Sequence, residues 1–122
     1  MSAPILIVED DQLLRTAVRL LLEDSGYHVH EAATGAAALA GAAQRPAAIL
    51  LDLGLPDLPG LEVVRRLVAD PVTRDIPIVA LTGRAGKLEQ KQAIDAGCRD
   101  YLVKPVPAAR LLDCIAGIVA PA

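Results

Sequence analysis

The chain has 122 residues, of which 53% are hydrophobic, and a formal net charge of −3 at neutral pH. This length and composition predict one domain with a packed apolar core. The mild acidity, without any basic or basic-aromatic cluster, argues against direct binding of nucleic acid. No apolar run reaches the roughly 20 residues that cross a bilayer, and the first residues lack a signal-peptide pattern. The two cysteines have no metal-ligand spacing and fit a reducing compartment. We therefore expect a cytoplasmic protein that binds neither nucleic acid nor membrane.

Strand-like and helix-like segments alternate along the chain. The strand-like segments are short apolar runs of the kind that a parallel sheet buries on both faces. They cover residues 5–8, 27–32, 47–52, 76–81 and 100–103. Helical patterns follow them at about 12–25, from Thr34 as N-cap to before Pro46, at about 61–69, at about 87–96, and from Pro107 onwards. The apolar stripe that we predict to face the core from the first helix is Leu14, Ala17, Val18, Leu21 and Leu22.

Five successive βα units predict an α/β fold with a doubly wound (βα)5 parallel sheet. Right-handed crossovers leave few arrangements, and the strand order 2-1-3-4-5 is the commonest at this size. In such sheets a ligand binds beyond the carboxyl ends of the strands, at the switch point between strands one and three. We therefore expect the functional residues at those strand ends.

Polar side chains stand at these strand ends. Glu9 and Asp10 follow the first strand, Asp52 ends the third, Thr82 follows the fourth and Lys104 follows the fifth. Two carboxylates that approach to about 4 Å near a protein surface repel each other by roughly 4 kcal/mol. A divalent cation offsets this repulsion, and Mg²⁺ needs only one or two carboxylates besides water and phosphate oxygens. The acids therefore predict a site for Mg²⁺, or for Mn²⁺ in its place.

The same strand ends carry the groups that phosphoryl transfer requires. A carboxylate beside a metal ion can attack phosphorus and form an acyl phosphate. The negative charge on the phosphoryl oxygens then needs donors, and the Lys104 ammonium and the Thr82 hydroxyl are suitable. Each residue alone is more often a turn, cap or solvated residue, so the coincidence at four strand ends carries the prediction. Asp11 is either a helix cap or an outer-sphere acid.

Four segments resemble the receiver domains of bacterial two-component response regulators. They are LIVEDD, ILLDLGLPDLPG, IVALTG and YLVKP. They follow the family's order and spacing over essentially the full chain, which is far more specific than a single motif. The resemblance implies a flavodoxin-like, CheY-like fold in which residues 1–122 form a single receiver domain, with 119–122 as a tail or linker stub. The implied function is a phosphoacceptor switch in a His-Asp phosphorelay, a signalling module rather than an enzyme with its own substrate.

The resemblance also implies roles for the acids. Asp52 corresponds to the phosphoacceptor of the family. Glu9 and Asp10 correspond to the acids that bind Mg²⁺ together with it. The backbone carbonyl of Gly54 corresponds to a further metal ligand.

Three other residues match the part of the family's pattern that responds to phosphorylation. Thr82 corresponds to the switch hydroxyl, Lys104 to the lysine that pairs with the phosphoryl group, and Tyr101 to the aromatic side chain that moves with the switch. Without the resemblance, a role of Tyr101 as an ordinary core residue is equally well supported. The implied phosphodonor is a sensor histidine kinase or a histidine phosphotransfer protein. An unidentified output protein then binds the face formed by the fourth helix, fifth strand and fifth helix.

Other interpretations stay open at this point. The chain could be a receiver from a larger response regulator or hybrid histidine kinase, or a domain whose interactions do not depend on phosphorylation. A Mg²⁺-dependent phosphohydrolase is disfavoured because it needs a second acid two residues after its nucleophile, where Gly54 stands. A flavin-binding module is disfavoured because acids occupy the loop that would hold a phosphate.

The remaining polar residues are assigned no chemistry. Asp57 is interpreted as a turn residue, and His28 and His30 as side chains of an exposed edge strand. The pair 65–66, two arginines, is interpreted as a solvated helix face. Arg84 occupies a variable position that influences the lifetime of the phosphoryl group in the family.

Overall fold

A computed structural model describes residues 3–83 and 86–119 of the chain. Its strands are β1 (Ile5–Val8), β2 (Val29–Ala32), β3 (Ala48–Asp52), β4 (Ile78–Thr82) and β5 (Asp100–Val103). Its helices are α1 (Gln12–Asp24), α2 (Gly35–Ala42), α3 (Gly60–Ala69), α4 (Lys87–Ala96) and α5 (Ala108–Ile118). The strands form one parallel sheet in the order β2-β1-β3-β4-β5, which confirms the predicted fold class.

The sheet separates two apolar cores. One core, which we call the α2–α4 core, holds buried side chains of α2, α3 and α4. The other, the α1–α5 core, holds those of α1 and α5. Leu6 and Val8 of β1 face the first core, and Ile5 and Ile7 face the second. This alternation explains why the central strands are apolar up to their carboxyl ends, where Asp52 and Thr82 stand, since both of their faces are covered by helices.

The helix and strand ends differ in detail from the sequence predictions. β2 begins at Val29 rather than Tyr27, because its ladder with β1 starts where Ile5 pairs with Val29. Pro107 is the N-cap of α5 and not its first helical residue. In α1, Ala17 is exposed, which corrects its predicted place in the buried stripe. It lies beside Leu13, four positions earlier on the helix, and that side chain is exposed as well.

Gly60 closes the loop between β3 and α3. Its amide donates a hydrogen bond to the Leu53 carbonyl at 3.0 Å. A Cβ atom at this position would collide with the Leu53 backbone, so the loop can turn this tightly only with glycine. The closure keeps the segment after Asp52 compact at the carboxyl edge of the sheet.

Both cysteine thiols are buried. Cys98 follows α4 in the α2–α4 core, and burial raises its pKa to about 12. Cys114 of α5 lies in the α1–α5 core, and burial together with the nearby Asp100 carboxylate raises its pKa to about 11. The Cys114 Sγ lies 3.4 Å from Asp100 Oδ2. Both thiols are therefore protonated at neutral pH.

Three expectations concern surface features or chain ends. His28 and His30 are exposed, and β2 lies at an edge of the sheet, as predicted. Arg65 and Arg66 are exposed on α3, also as predicted. Arg84 and residues 120–122 of the predicted tail lie outside the described residues. Within the described ranges, every helix is too short or too polar to cross a bilayer.

Candidate functional site

Three carboxyl groups meet at the carboxyl edge of β1 and β3. Glu9, Asp10 and Asp52 each bring one carboxylate oxygen to within 4.8 Å of the others. The Glu9 and Asp52 side chains are buried, whereas Asp10 is exposed. This grouping follows from the register, because β1 and β3 are adjacent and parallel and both end at this edge. The structure therefore brings the three predicted acids together at an opening to solvent.

Lys104 lies against two of these acids. Its Nζ atom donates to Glu9 Oε1 at 2.6 Å and lies 3.5 Å from Asp52 Oδ1. The other oxygen of Glu9, Oε2, accepts a hydrogen bond from the Asp11 amide at 3.1 Å. Asp52 Oδ1 also accepts from the amide of Gly54 at 3.0 Å. A lysine and backbone amides thus compensate part of the negative charge.

The pairing changes the protonation equilibria of both partners. Burial raises the pKa of Glu9 above its ordinary value of 4.5, and the neighbouring Asp52 adds to this effect. The hydrogen bonds from Lys104 and from the Asp11 amide oppose the rise without cancelling it. Burial acts to lower the pKa of Lys104, but the bond to Glu9 and the charge of Asp52 leave it raised overall. Lys104 therefore remains a cation throughout the physiological range of pH.

The donor set fits a hard divalent cation. The converging atoms are carboxylate oxygens, which Mg²⁺ and Mn²⁺ prefer over nitrogen or sulfur ligands. One of the three acids is exposed, so a cation held there keeps access to water. The Lys104 ammonium and the acids already balance part of each other's charge, and a divalent ion offsets the remaining repulsion.

Thr82 stands at the end of β4, on the other side of Asp52. The residue is 6% exposed, and its backbone carbonyl accepts a hydrogen bond from the Lys104 amide at 2.7 Å. Tyr101 on β5 is 8% exposed and belongs to the α2–α4 core. A cleft of about 520 Å³ runs from Asp52 towards α4. Its lining includes Asp52, Gly54, Thr82, Gly83, Glu89 and Gln92.

The loop between β1 and α1 is fixed by Asp11, for which the sequence left two roles open, and by Arg15, which the sequence reasoning did not single out. Asp11 Oδ1 accepts hydrogen bonds from the amides of Leu13 and Leu14 at 3.0 and 3.3 Å, so Asp11 is the N-cap of α1. This observation favours the capping alternative. Arg15 of α1 donates from Nη1 to the Glu9 backbone carbonyl at 2.8 Å.

Asp57 also has a role that the sequence did not reveal. Its two carboxylate oxygens accept hydrogen bonds from the amides of Gly35 and Ala36, at 2.7 and 3.0 Å. These bonds lower the pKa of Asp57 below its ordinary value. Asp57 therefore ties the β3–α3 loop to the start of α2, where Thr34 also caps the helix as predicted. The turn interpretation was incomplete.

The fold and the site define a class of signalling module, and comparison with known proteins identifies it. Residues 5–116 match the family described as response regulator receiver domain, and the chain belongs to that family. The resemblance inferred from the four motifs is thereby confirmed. Receiver domains are parts of two-component signalling systems, so the coarse function is that of a signalling domain.

Two curated relatives differ in how much of their length the chain spans. The polar-differentiation response regulator DivK of Brucella anthropi is 37% identical over 116 residues, which are 94% of each protein. The response regulator MprA of Mycobacterium bovis is 42% identical over 113 residues, which are 92% of this chain but 48% of MprA. The same kind of domain thus occurs both nearly alone and as half of a longer regulator.

Solved structures agree with the fold. The receiver domain of the sensor histidine kinase PA1611 of Pseudomonas aeruginosa, with a magnesium ion coordinated in its active-site cleft, has a TM-score of 0.90. It is 34% identical, and the match covers 99% of this chain and 100% of that one. The chemotaxis protein CheY4 of Vibrio cholerae has a TM-score of 0.90 at 30% identity, with 97% and 99% covered.

Proposed function

We propose that the chain is a phosphoacceptor switch in which Asp52 receives a phosphoryl group. The ligands for Mg²⁺ or Mn²⁺ in this proposal are the carboxylates of Glu9, Asp10 and Asp52 and the backbone carbonyl of Gly54. The observation that carries the proposal is that three carboxylates and Lys104 converge at the carboxyl edge of the sheet in a receiver domain. The magnesium ion in the related PA1611 receiver supports the choice of metal.

The transfer step is a displacement at phosphorus. An Asp52 carboxylate oxygen forms a bond to the phosphorus of a phosphohistidine, and the bond between phosphorus and the imidazole nitrogen breaks. The electron pair goes to that nitrogen, which takes up a proton from solvent. A bound Mg²⁺ supplies charge neutralisation at the phosphoryl oxygens. Lys104 pairs with one of these oxygens, and the Thr82 hydroxyl donates to another.

In this proposal, phosphorylation of Asp52 changes the face formed by α4, β5 and α5. Phosphorylation adds negative charge and acceptor oxygens at the end of β3, next to Thr82 at the end of β4. In the proposed switch, Thr82 moves towards the phosphoryl group and Tyr101 fills the space that it leaves. The face formed by α4, β5 and α5 is thereby repacked and binds an output protein. A few kcal/mol of differential binding shift such an equilibrium from mostly off to mostly on.

The proposal includes the setting of the switch. Residues 1–122 act as one receiver domain in the cytoplasm, and the phosphodonor is a sensor histidine kinase or a histidine phosphotransfer protein. The domain promotes only its own phosphorylation and dephosphorylation. The similarity to half of MprA supports the alternative that such a domain works as part of a longer regulator.

The test is the intact mass of the protein after incubation with Mg²⁺ and acetyl phosphate. We expect the native chain to gain one phosphoryl group and Asp52→Asn to gain none. Asp75→Asn is a matched control, because Asp75 is an exposed acid near the amino end of β4, at the opposite edge of the sheet. It should be phosphorylated like the native chain.

Two results would contradict the proposal. A folded native protein that gains no mass would indicate an interaction domain that works without phosphorylation. An equal gain in Asp52→Asn would assign the acceptor to another residue.

The coupling to the output face has its own test. Thr82→Ala should still accept the phosphoryl group at Asp52, but its partner should no longer distinguish the phosphorylated from the unphosphorylated form. An output protein is first captured with the phosphorylated native chain. The measurement is then its affinity for the phosphorylated and the unphosphorylated form of Thr82→Ala. An unchanged phosphorylation dependence would mean that Thr82 does not carry the signal.

A further inference from the structure

Arg15 connects α1, β1 and β2 at the acidic site. Its Nη1 atom donates to the backbone carbonyl of Glu9 at 2.8 Å, and its Nε atom donates to Glu31 Oε1 at 3.0 Å. The Arg15 side chain is only 16% exposed. The guanidinium therefore uses its fork of donors on one backbone group and one carboxylate at the same time.

The carbonyl that Arg15 holds belongs to the peptide bond between Glu9 and Asp10. A peptide unit is planar, so fixing its oxygen limits the positions of the Cα atoms on both sides. These two Cα atoms carry two of the three carboxylates that converge at the site. Arg15 thus controls the backbone between two acids without touching either carboxylate.

Glu31 holds Arg15 in place and balances its charge. Glu31 lies on β2, opposite Ile7 of β1, which is the strand that leads into the site. Its second oxygen, Oε2, forms an ion pair with Arg19 Nε at 3.2 Å. Both carboxylate oxygens of Glu31 are therefore engaged by arginines of α1. The carboxylate also neutralises a guanidinium that would otherwise repel a cation at the adjacent acids.

We propose that Arg15 is a positioning residue for the metal site. By holding the Glu9–Asp10 peptide, Arg15 sets the separation of the carboxylates that bind Mg²⁺. Glu31 orients the Arg15 guanidinium by accepting its Nε–H. This inference rests on the proposed function, since it needs a cation at these acids. Groups that orient metal ligands from outside change metal affinity by about 10-fold to 100-fold when they are removed.

The experiment measures the dissociation constant of MgCl₂ by calorimetric titration of the full chain, without any phosphodonor. We expect Arg15→Gln to bind Mg²⁺ about tenfold more weakly than the native chain. Arg15→Lys should recover part of the loss, because an ammonium can donate to the Glu9 carbonyl but cannot hold Glu31 with the same fork. Urea unfolding of each metal-free variant confirms that the titrated protein is folded.

Arg19→Gln is the matched control. Arg19 lies one helical turn further along α1 and shares the partner Glu31, but its described bonds go only to Glu31 and Glu23. The Arg19→Gln variant loses the same charge and an ion pair with the same carboxylate, but it keeps the bond from Arg15 to the Glu9 carbonyl. Its Mg²⁺ dissociation constant should therefore equal that of the native chain. The double variant Arg15→Gln with Glu31→Gln keeps the net charge of the native chain. It should lose affinity as Arg15→Gln does, because the effect comes from position rather than charge.

The outcomes separate this inference from the proposed function. If the native chain does not bind Mg²⁺, the proposed metal site is wrong and this inference falls with it. If the native chain binds Mg²⁺ and Arg15→Gln binds it equally well or more tightly, only the positioning role is wrong. A loss of stability in Arg15→Gln without a change in affinity would likewise reduce Arg15 to a structural residue.

Discussion

The helices on the two sides of the acidic site begin in different ways. On the β1 side, α1 is capped by Asp11, and α2 is capped by Thr34 with Asp57 beside it. On the β4 side, α4 begins after Gly86 and α5 after Pro107, and for neither helix do the described residues provide a side-chain cap. The β1 side is therefore held by polar side-chain contacts at its helix starts, and the described part of the β4 side has no such contact at its helix starts.

The ion pairs show a similar contrast. Arg15 and Arg19 join α1 to Glu31 of β2, whereas Lys91 pairs with Asp95 within α4 itself. Exposed pairs within one helix contribute little and restrain no other element.

The proposed output side also has an ion pair between elements, from Arg110 of α5 to Asp100 of β5 at 3.5 Å, but these side chains are 51% and 38% exposed, and exposed pairs contribute little. The side that presents the acids is thus tied together more firmly across elements, and we expect the proposed output side to repack at lower cost. Such a division suits a switch whose chemistry must stay fixed while its surface changes.

The largest expected effects test whether this contrast extends into the apolar core. Leu22 of α1 and Ile115 of α5 are both fully buried in the α1–α5 core. We expect Leu22→Ala and Ile115→Ala each to lower the free energy of unfolding by about 2–5 kcal/mol, because both leave a cavity. Urea unfolding measures the two losses. Similar values would locate the contrast in the helix ends, and a much smaller loss for Ile115→Ala would show that the core of the α5 side is looser as well.

The next effect concerns the hydrogen bonds by which Asp57 joins the β3–α3 loop to the start of α2. Asp57→Asn should lower the free energy of unfolding at neutral pH, because the amides of Gly35 and Ala36 lose a charged acceptor. The pKa of Asp57 is lowered in the folded protein, so its carboxylate stabilises the fold above the ordinary pKa of 3.8. That contribution disappears as the pH falls through the lower pKa of the folded state. The difference between native chain and variant should therefore shrink below about pH 3.8.

Unfolding of both proteins across this range of pH is the measurement. A difference that stays constant down to the lowest pH would mean that the shape of the side chain matters and its charge does not. Equal stability at neutral pH would remove Asp57 from the contacts that distinguish the β1 side.

The smallest effect adds a cap to a helix that lacks one. α3 begins after Pro59, whose side chain makes no capping bond, and the backbone there is extended (φ −57°, ψ 136°). An aspartate adopts this conformation and can accept from the first free amides, which contributes about 1 kcal/mol. Loss of the rigid proline costs about 0.4–1 kcal/mol, so Pro59→Asp should stabilise the protein by about 0.5 kcal/mol at most. Thermal unfolding measures the gain. A loss would show that the rigidity of proline contributes more here than a cap.

Much of this architecture could be predicted because two simple features determine it, the apolar runs in the sequence and the parallel arrangement of the strands. Apolar runs without polar positions indicate strands buried on both sides, and parallel strands bring their carboxyl ends to one edge. Glu9, Asp10, Asp52 and Lys104 could therefore be grouped before any coordinates were known. The grouping needed only the order of the strands, and right-handed crossovers restrict that order strongly.

Arg15 and Asp57 could not be found in this way. Their partners at the site are backbone groups, the carbonyl of Glu9 and the amides of Gly35 and Ala36. Every residue carries such groups, so no residue type marks the partner. Asp57 is also separated from Gly35 by 22 positions, far beyond the range of local capping patterns. Contacts between a side chain and a distant backbone become visible only after the chain has folded.

The two cysteines give this protein a means of reporting its own motions. The chain has no tryptophan, so fluorescence offers little signal, but its thiols are protonated and buried when it is folded. An alkylating reagent reaches them only when their surroundings open, so the rate of alkylation counts opening events. Cys98 reports on the end of α4 and Cys114 on α5. Mass spectrometry of alkylated peptides can therefore time the opening of the proposed output side in the unaltered chain, before and after treatment with a phosphodonor.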